Sequence, residues 1–273
     1  MQLDLFQWEA LAASSGYHCL AALDFDGARD HFTRILRGIP DHAEASRGLR
    51  DLEFWQEVFR ELDRRDPKEQ PLFLWERITA FRFRNVASHR NMRRALIGRL
   101  LPMLAGDHFY HPPDLCRGYL LLELGNFGAA ADEFRLLLAH LPENGHLHGY
   151  LAKALWLLGK EEEAKTACTI ALLLDPAAVN TAALPSPPLL ELIHEHGPAL
   201  APVYGYLAGL LPLIEPPSQA NSPEAQAYSC LRQAELARLR DDHPAMVEAR
   251  RELKRLAPAV LKNYLAWLAA KVG

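Results

Sequence analysis

Three segments of this 273-residue chain repeat one set of offsets. Gly16 is followed by Ala28, Phe32 and Pro40. Gly118 is followed by Ala130, Phe134 and Pro142. Ala152 is followed by Ala164, Cys168 and Pro176. The intervals from the first residue are the same in each segment, and Pro142 and Pro176 stand one such unit apart. A recurrence at this period restricts the chain to stacked units, each too small to bury its apolar face alone.

The offsets describe a helix, a tight turn and a second helix. Small residues at Gly16, Gly118 and Ala152 let the second helix come close to the first. Ala28, Ala130 and Ala164 supply the small counterpart on that second helix. Phe32 and Phe134 fill the groove beside it. Proline cannot continue a helix, so Pro40, Pro142 and Pro176 end each unit. Leu23, Gly125 and Gly159 mark the turn in between. The stretches 121–144 and 155–177 carry the pattern most clearly.

This pattern resembles the tetratricopeptide repeat (TPR) family, with its W-x2-LG-x2-Y, A-x3-F and P positions. The resemblance covers residues 9–42, 111–144 and 145–178. Ala12, Asp114 and His148 stand at the family's tryptophan position, and Cys168 stands at the phenylalanine. It implies an all-α fold, an α-solenoid of helix-turn-helix repeats wound into a right-handed superhelix. It also implies a concave groove lined by the first helix of each unit. Tyr17, Tyr119 and Lys153 map onto one equivalent groove position, with His146, Tyr150 and Trp156 on the same face of the third unit. Aromatic side chains offer large contact area at low entropy cost, so these six form the candidate partner groove. Ala13 and Leu115 occupy places where a carboxylate-clamping member would carry basic residues.

The remaining sequence reads as helix as well. Ala45, Leu49, Leu52, Trp55 and Phe59 recur at helical spacing until Asp66-Pro67. Helices are expected over 71–88 and 90–105, so that 43–110 holds two highly divergent units or an insertion of longer helices. After Pro176 a loop-rich stretch leads to helices expected at 188–196, 199–214, 223–240, 244–256 and 258–271. The organisation expected is a solenoid over 1–178 with degenerate central units, then a C-terminal helical extension over 187–273. The last helix would cap the stack. Alternating β-branched runs and hairpin dipeptides are nearly absent.

Charge is segregated along the chain. Residues 77–106 carry seven arginines and no acid, while 1–76 carry net −6 and 107–223 net −8 (9 basic against 15 acidic, and 5 against 13). Arg82, Arg84, Arg90, Arg93 and Arg94 form a candidate patch for an anionic partner, with Phe81 and Phe83 between arginines as possible stacking surfaces for a base. The competing reading is neutralisation by the acids on either side. A net charge of −4 gives no global attraction to nucleic acid, so nucleic acid is the less favoured partner.

Enzyme chemistry finds little purchase. The pairs His146/His148 and His194/His196 point to different sides of a helix. No phosphate-binding glycine loop, metalloprotease motif or nucleophile elbow occurs. The residues Asp107, His108, His111 and Asp114 are metal-like in type but read as solvated loop. Cys19, Cys116, Cys168 and Cys230 lack paired spacing and sit in apolar stretches as small hydrophobes. Residues 197–214 are uncharged over a length at the lower edge of a membrane span, yet Pro198, Pro202 and Pro212 interrupt them, so no span is expected. The N-terminal residues show no secretory signal, and a cytoplasmic location is expected. The expectation is a non-catalytic scaffold or adaptor for a protein or peptide, without cofactor or metal. The alternative is an RNA- or polyanion-binding helical repeat protein acting through 77–106.

Overall fold

The computed structural model describes residues 5–84, 86–104, 109–177, 179–180, 184 and 186–272. The first four residues, where a secretory signal would begin, lie outside that set. The described chain is almost entirely helical and divides into two compact units, Met1–Gly125 and Asn126–Gly273.

The first unit holds α1 (Leu5–Ala21), α2 (Phe25–Gly38), α3 (Ala43–Leu62), α4 (Gln70–Ala80), α5 (Ala87–Leu100) and α6 (Arg117–Leu124). A short 3-10 turn, Leu101–Leu104, follows α5. The two-residue strands β1 (Tyr110–His111) and β2 (Leu115–Cys116) pair antiparallel, with Tyr110 opposite Cys116. The second unit holds α7 (Phe127–His140), α8 (Gly145–Leu157), α9 (Glu161–Leu174), α10 (Pro187–His196), α11 (Ala201–Leu207), α12 (Pro223–Leu239), α13 (His243–Leu256) and α14 (Pro258–Val272). The division falls between α6 and α7, inside the stretch 111–144.

One turn recurs in both units. Leu23, Gly125, Gly159 and Asp241 all adopt positive φ, at 59°, 86°, 75° and 55°. After α1, α8 and α12 the next residue closes the turn with the same backbone bond. The N–H of Asp24 donates to Cys19 O, that of Lys160 to Leu155 O and that of Asp242 to Ala237 O, each at 2.9 Å. This is the Schellman arrangement, which satisfies carbonyls left open at a helix end. Asp24 and Asp242 then cap the following helix by accepting from the N–H of Gly27 and Ala245. So short a connection folds the second helix back along the first.

The far ends match too. Ile39, Leu141, Asp175 and Ala257 each precede a proline and leave helical geometry, with ψ between 59° and 88°. The proline ring disfavours the helical region in the residue before it. The pair α12/α13 therefore has the same turn and the same proline stop as the pairs α1/α2 and α8/α9. Its Met246 and Arg250 stand where those pairs carry an alanine and a larger packing residue.

The small residues do what their spacing suggests. Ala28, Phe32, Ala130, Phe134, Ala152, Ala164 and Cys168 are all fully buried. Phe32 is wedged between two glycines. A Cβ added at Gly16 of α1 would lie 2.6 Å from its ring, and one at Gly48 of α3 only 2.4 Å. The phenyl ring thus occupies the space that both missing side chains leave, and it ties three helices together.

Three expected helices end earlier than their periodicity suggests. The one expected over 71–88 stops at Ala80. Phe81 and Phe83, two residues apart on extended backbone, both turn towards Trp55, at 5.1 and 6.3 Å between ring centroids. A helical register would send them to different sides. The one expected over 90–105 spans 87–100 and tightens into the 3-10 turn. The one expected over 199–214 ends at Leu207. There Gly209 takes φ of 72°, and the Tyr228 hydroxyl accepts from the N–H of Ile214 at 2.8 Å. No helix among the described residues is long and apolar enough to cross a membrane.

In the second unit α14 is fastened by a buried carboxylate. Glu235 of α12 is 3% exposed. It accepts two bonds from the Arg238 guanidinium, at 2.9 and 2.7 Å, and one from the Tyr264 hydroxyl of α14 at 2.8 Å. The Arg238 bonds, with that of Tyr264, hold its carboxyl below the ordinary range despite burial.

Filling either glycine against Phe32 overpacks the first unit. Gly48→Ala is expected to lower unfolding stability by about 1–3 kcal/mol. Shrinking the ring in a Gly48→Ala, Phe32→Leu double variant should recover part of that loss. Urea unfolding of the three variants checks the coupling.

Candidate functional site

The second unit presents one helix face of unusual composition. From Gly145 to Lys160 the chain contains no aspartate or glutamate. Asn144 starts α8 by accepting from the N–H of Leu147 at 3.0 Å. Leu147, Leu151, Ala152, Ala154 and Leu155 are then buried. His146, Tyr150, Lys153 and Trp156, three or four residues apart, stay partly accessible on one stripe, and Leu157 is exposed beside them. Tyr150 stacks on Phe134 of α7 with centroids 5.8 Å apart and planes at 28°. His146 lies 6.5 Å from the same tyrosine. Lys153 has no carboxylate within 4 Å among the described residues, whereas Lys160 reaches Glu163 at 3.5 Å. The stripe offers two aromatic rings, an imidazole and an amine, and no negative charge.

The other two members of the expected groove belong to the first unit and differ from each other. Tyr119 of α6 is half-buried, edge-on to Trp75 at 5.9 Å. Its hydroxyl is pushed up to about 12 by burial and by the nearby Glu123 and Asp114, against the opposing Arg93. Tyr17 corrects the expectation. It is only 3% exposed, its ring edge meets Phe32 at 5.2 Å, and its hydroxyl donates to Glu44 O at 3.3 Å. It is a core residue with no surface for a partner, because α3 and α5 both pack over α1 at this point.

The arginine segment is largely committed within the first unit. The Arg84 guanidinium donates to the Tyr17 hydroxyl at 2.7 Å. Arg93 is ion-paired with Glu123, and Arg94 donates to Leu124 O at 2.9 Å. Arg77 reaches Glu61 at 3.5 Å. Arg82, Arg90 and Arg94 remain exposed. Phe81 and Phe83 are not free stacking platforms, because their rings pack on Trp55, on each other and on His89. The structure thereby brings Tyr119 and Arg93, drawn from the two candidate sets, into one contact.

Beside Arg84 lies a polar cluster that the sequence did not announce. His89 of α5 is 1% exposed. Its Nδ1 accepts from the N–H of Arg84 at 3.1 Å, and its Nε2 lies 3.3 Å from Asp51 Oδ2 and 2.9 Å from Arg84 Nη2. Burial and the adjacent guanidinium lower its pKa to about 4. Burial raises the Asp51 carboxyl, against the pull of Arg84, Arg50 and Arg47. The only local hint was His89 among apolar positions Met92, Leu96 and Leu100 on the inner face of α5.

The cluster pins the extended stretch after α4 rather than exposing a reacting atom. Among the described residues no group of three histidine, cysteine or acidic side chains is placed to hold a metal. Asp107 and His108 lie outside the described residues. All four cysteines are free, and burial pushes the Cys168 thiol up to about 12, which keeps it an unreactive core residue. Compared with protein-family models, curated proteins and solved structures, the chain matches none of them.

His89 sets a pH dependence. An unfolded chain takes up the imidazole proton near pH 6.5, the folded chain only near 4. Stability is therefore complete above about pH 6.5 and declines as pH falls, by about 2–3 kcal/mol at pH 4.5. Asp51 works the other way, since its raised carboxyl takes up a proton more readily when folded. Urea unfolding at pH 7 and 4.5 should show the decline, and His89→Gln should flatten it.

Proposed function

We propose that this chain is a non-catalytic adaptor of tetratricopeptide type, a helical scaffold that holds a protein or peptide segment against α8. The observation that carries this reading is the acid-free stripe His146, Tyr150, Lys153 and Trp156, partly accessible on a helix whose opposite side is core. Aromatic rings supply contact area, and Lys153, without an ion-pair partner of its own among the described residues, attracts an acidic side chain and sets register. The recurring left-handed turn and proline stop support the repeat reading. Free cysteines without paired spacing suit a reducing compartment such as the cytoplasm. Polyanion binding through Arg82, Arg84, Arg90, Arg93 and Arg94 has less support, since Arg84 and Arg93 are occupied by groups of this chain and the phenylalanines between them are packed.

Affinity capture from native lysate, run with and without nuclease and followed by titration of the purified partner, tests the reading. A protein partner should be retained. Its affinity should fall at least tenfold, about 1.4 kcal/mol, in a Tyr150→Ala, Lys153→Glu variant that unfolds at the wild-type temperature. Retention of nucleic acid instead, abolished by Arg90→Glu and Arg94→Glu, would transfer the function to α5.

A further inference from the structure

A second surface of the Asn126–Gly273 unit has the opposite character. The helices α10, α11 and α14 and the residues after α11 line a cleft of about 480 Å³. Leu192, Leu207 and Leu210 contribute apolar surface, and Glu191 and Glu195 project from α10 one turn apart. Tyr204 of α11 also lines it, and its ring is fixed in orientation. The His196 imidazole lies flat on it, with centroids 3.8 Å apart and planes at 18°, and Asn263 Nδ2 donates to its hydroxyl at 3.2 Å.

Among the described residues neither carboxylate has a lysine or arginine counterpart. Glu191 has no lysine or arginine within 4 Å among the described residues, and the one basic group near Glu195 is the adjacent His196 imidazole at 3.6 Å. The reason lies in the sequence. Between Lys165 and Arg232 the chain contains no lysine or arginine. On α14, Lys262 neighbours Asn263 but does not line the cleft.

A pair of carboxylates beside a flat ring and a strip of leucines matches one side chain best. A guanidinium is planar, donates to two carboxylates through its fork, and stacks against rings such as the paired His196 and Tyr204, which both line the cleft. Its three methylenes need apolar cover, which the leucines provide. An ammonium is a point charge without the plane or the fork, so it uses less of this arrangement. We infer that the α10–α11–α14 cleft binds an arginine side chain presented by a peptide segment of a partner protein. The cleft and the α8 stripe carry opposite charge preference and stand on different helices, so the proposal does not depend on the α8 reading.

The test uses the whole chain, labelled with nitrogen-15, and three peptides: acetyl-Leu-Arg-Arg-Leu-amide, its lysine counterpart and its glutamate counterpart. The arginine peptide should shift the amide signals of α10 and α11 and the side-chain NH2 of Asn263, saturably. The lysine peptide should bind at least threefold more weakly, and the glutamate peptide should leave these signals unmoved. Glu191→Gln with Glu195→Gln, both at exposed positions, should weaken the arginine peptide at least tenfold, while Tyr150→Ala should leave it unchanged. Equal binding of arginine and lysine peptides, or binding indifferent to the glutamine variant, would overturn the proposal. So would self-association in sedimentation experiments that is lost both in that variant and on Arg90→Gln with Arg94→Gln, because the occupant would then be a second copy of this chain.

Discussion

The architecture depends on one backbone event, the reversal of a helix through a residue with positive φ. At Leu23, Gly159 and Asp241 the chain enters the left-handed region, and the next N–H returns to a carbonyl five residues back. Glycine tolerates that conformation freely; leucine and aspartate adopt it at some cost, which the packing of the paired helices offsets. Without this turn each helix would have an apolar face and no partner. With it, α2 lies on α1, α9 on α8 and α13 on α12, and the small residues at the recurring offsets meet.

Close approach then decides what else can pack. Phe32 fills the space left by Gly16 and Gly48, so α1, α2 and α3 are held by one ring. The same crowding carries α5 onto α1, buries Tyr17 and encloses His89 with Arg84 and Asp51. A polar cluster in such a place must satisfy its own donors and acceptors, and it does so by drawing in Arg84, which looks, in the sequence, like part of a binding patch. The first unit thereby neutralises much of the positive charge of 77–106 with groups of its own. The second unit keeps α8 free of acid and α10 free of lysine and arginine, and this separation leaves two surfaces with different chemical preference.

Much of the fold was legible because its signals are local. Proline at the end of a unit, the small residue near the start and the apolar spacing between them act through neighbours in sequence, and the helices they mark appear close to their expected bounds. The errors also have local signatures in hindsight. Phe81 and Phe83 have the two-residue spacing of an extended strand rather than a helix, and Gly209 with Pro212 marks the place where α11 ends. Of the candidate residues, His146, Tyr150, Lys153 and Trp156 share one accessible face, as their spacing required. Tyr17 occupies the same offset as Lys153 and is buried nonetheless.

By itself the sequence determined that the chain would be helical, where the repeated helix pairs would turn and stop, and which residues share a helix face. Those properties follow from backbone sterics and from a period of 3.6 residues. The tertiary structure alone decided which of those faces is covered. It placed α5 over Tyr17, paired Arg93 with Glu123, buried Glu235 beneath Tyr264, and left a cleft beside Glu191 and Glu195. Burial and ion pairing depend on helices far apart in sequence, and no offset within one unit encodes which neighbour arrives.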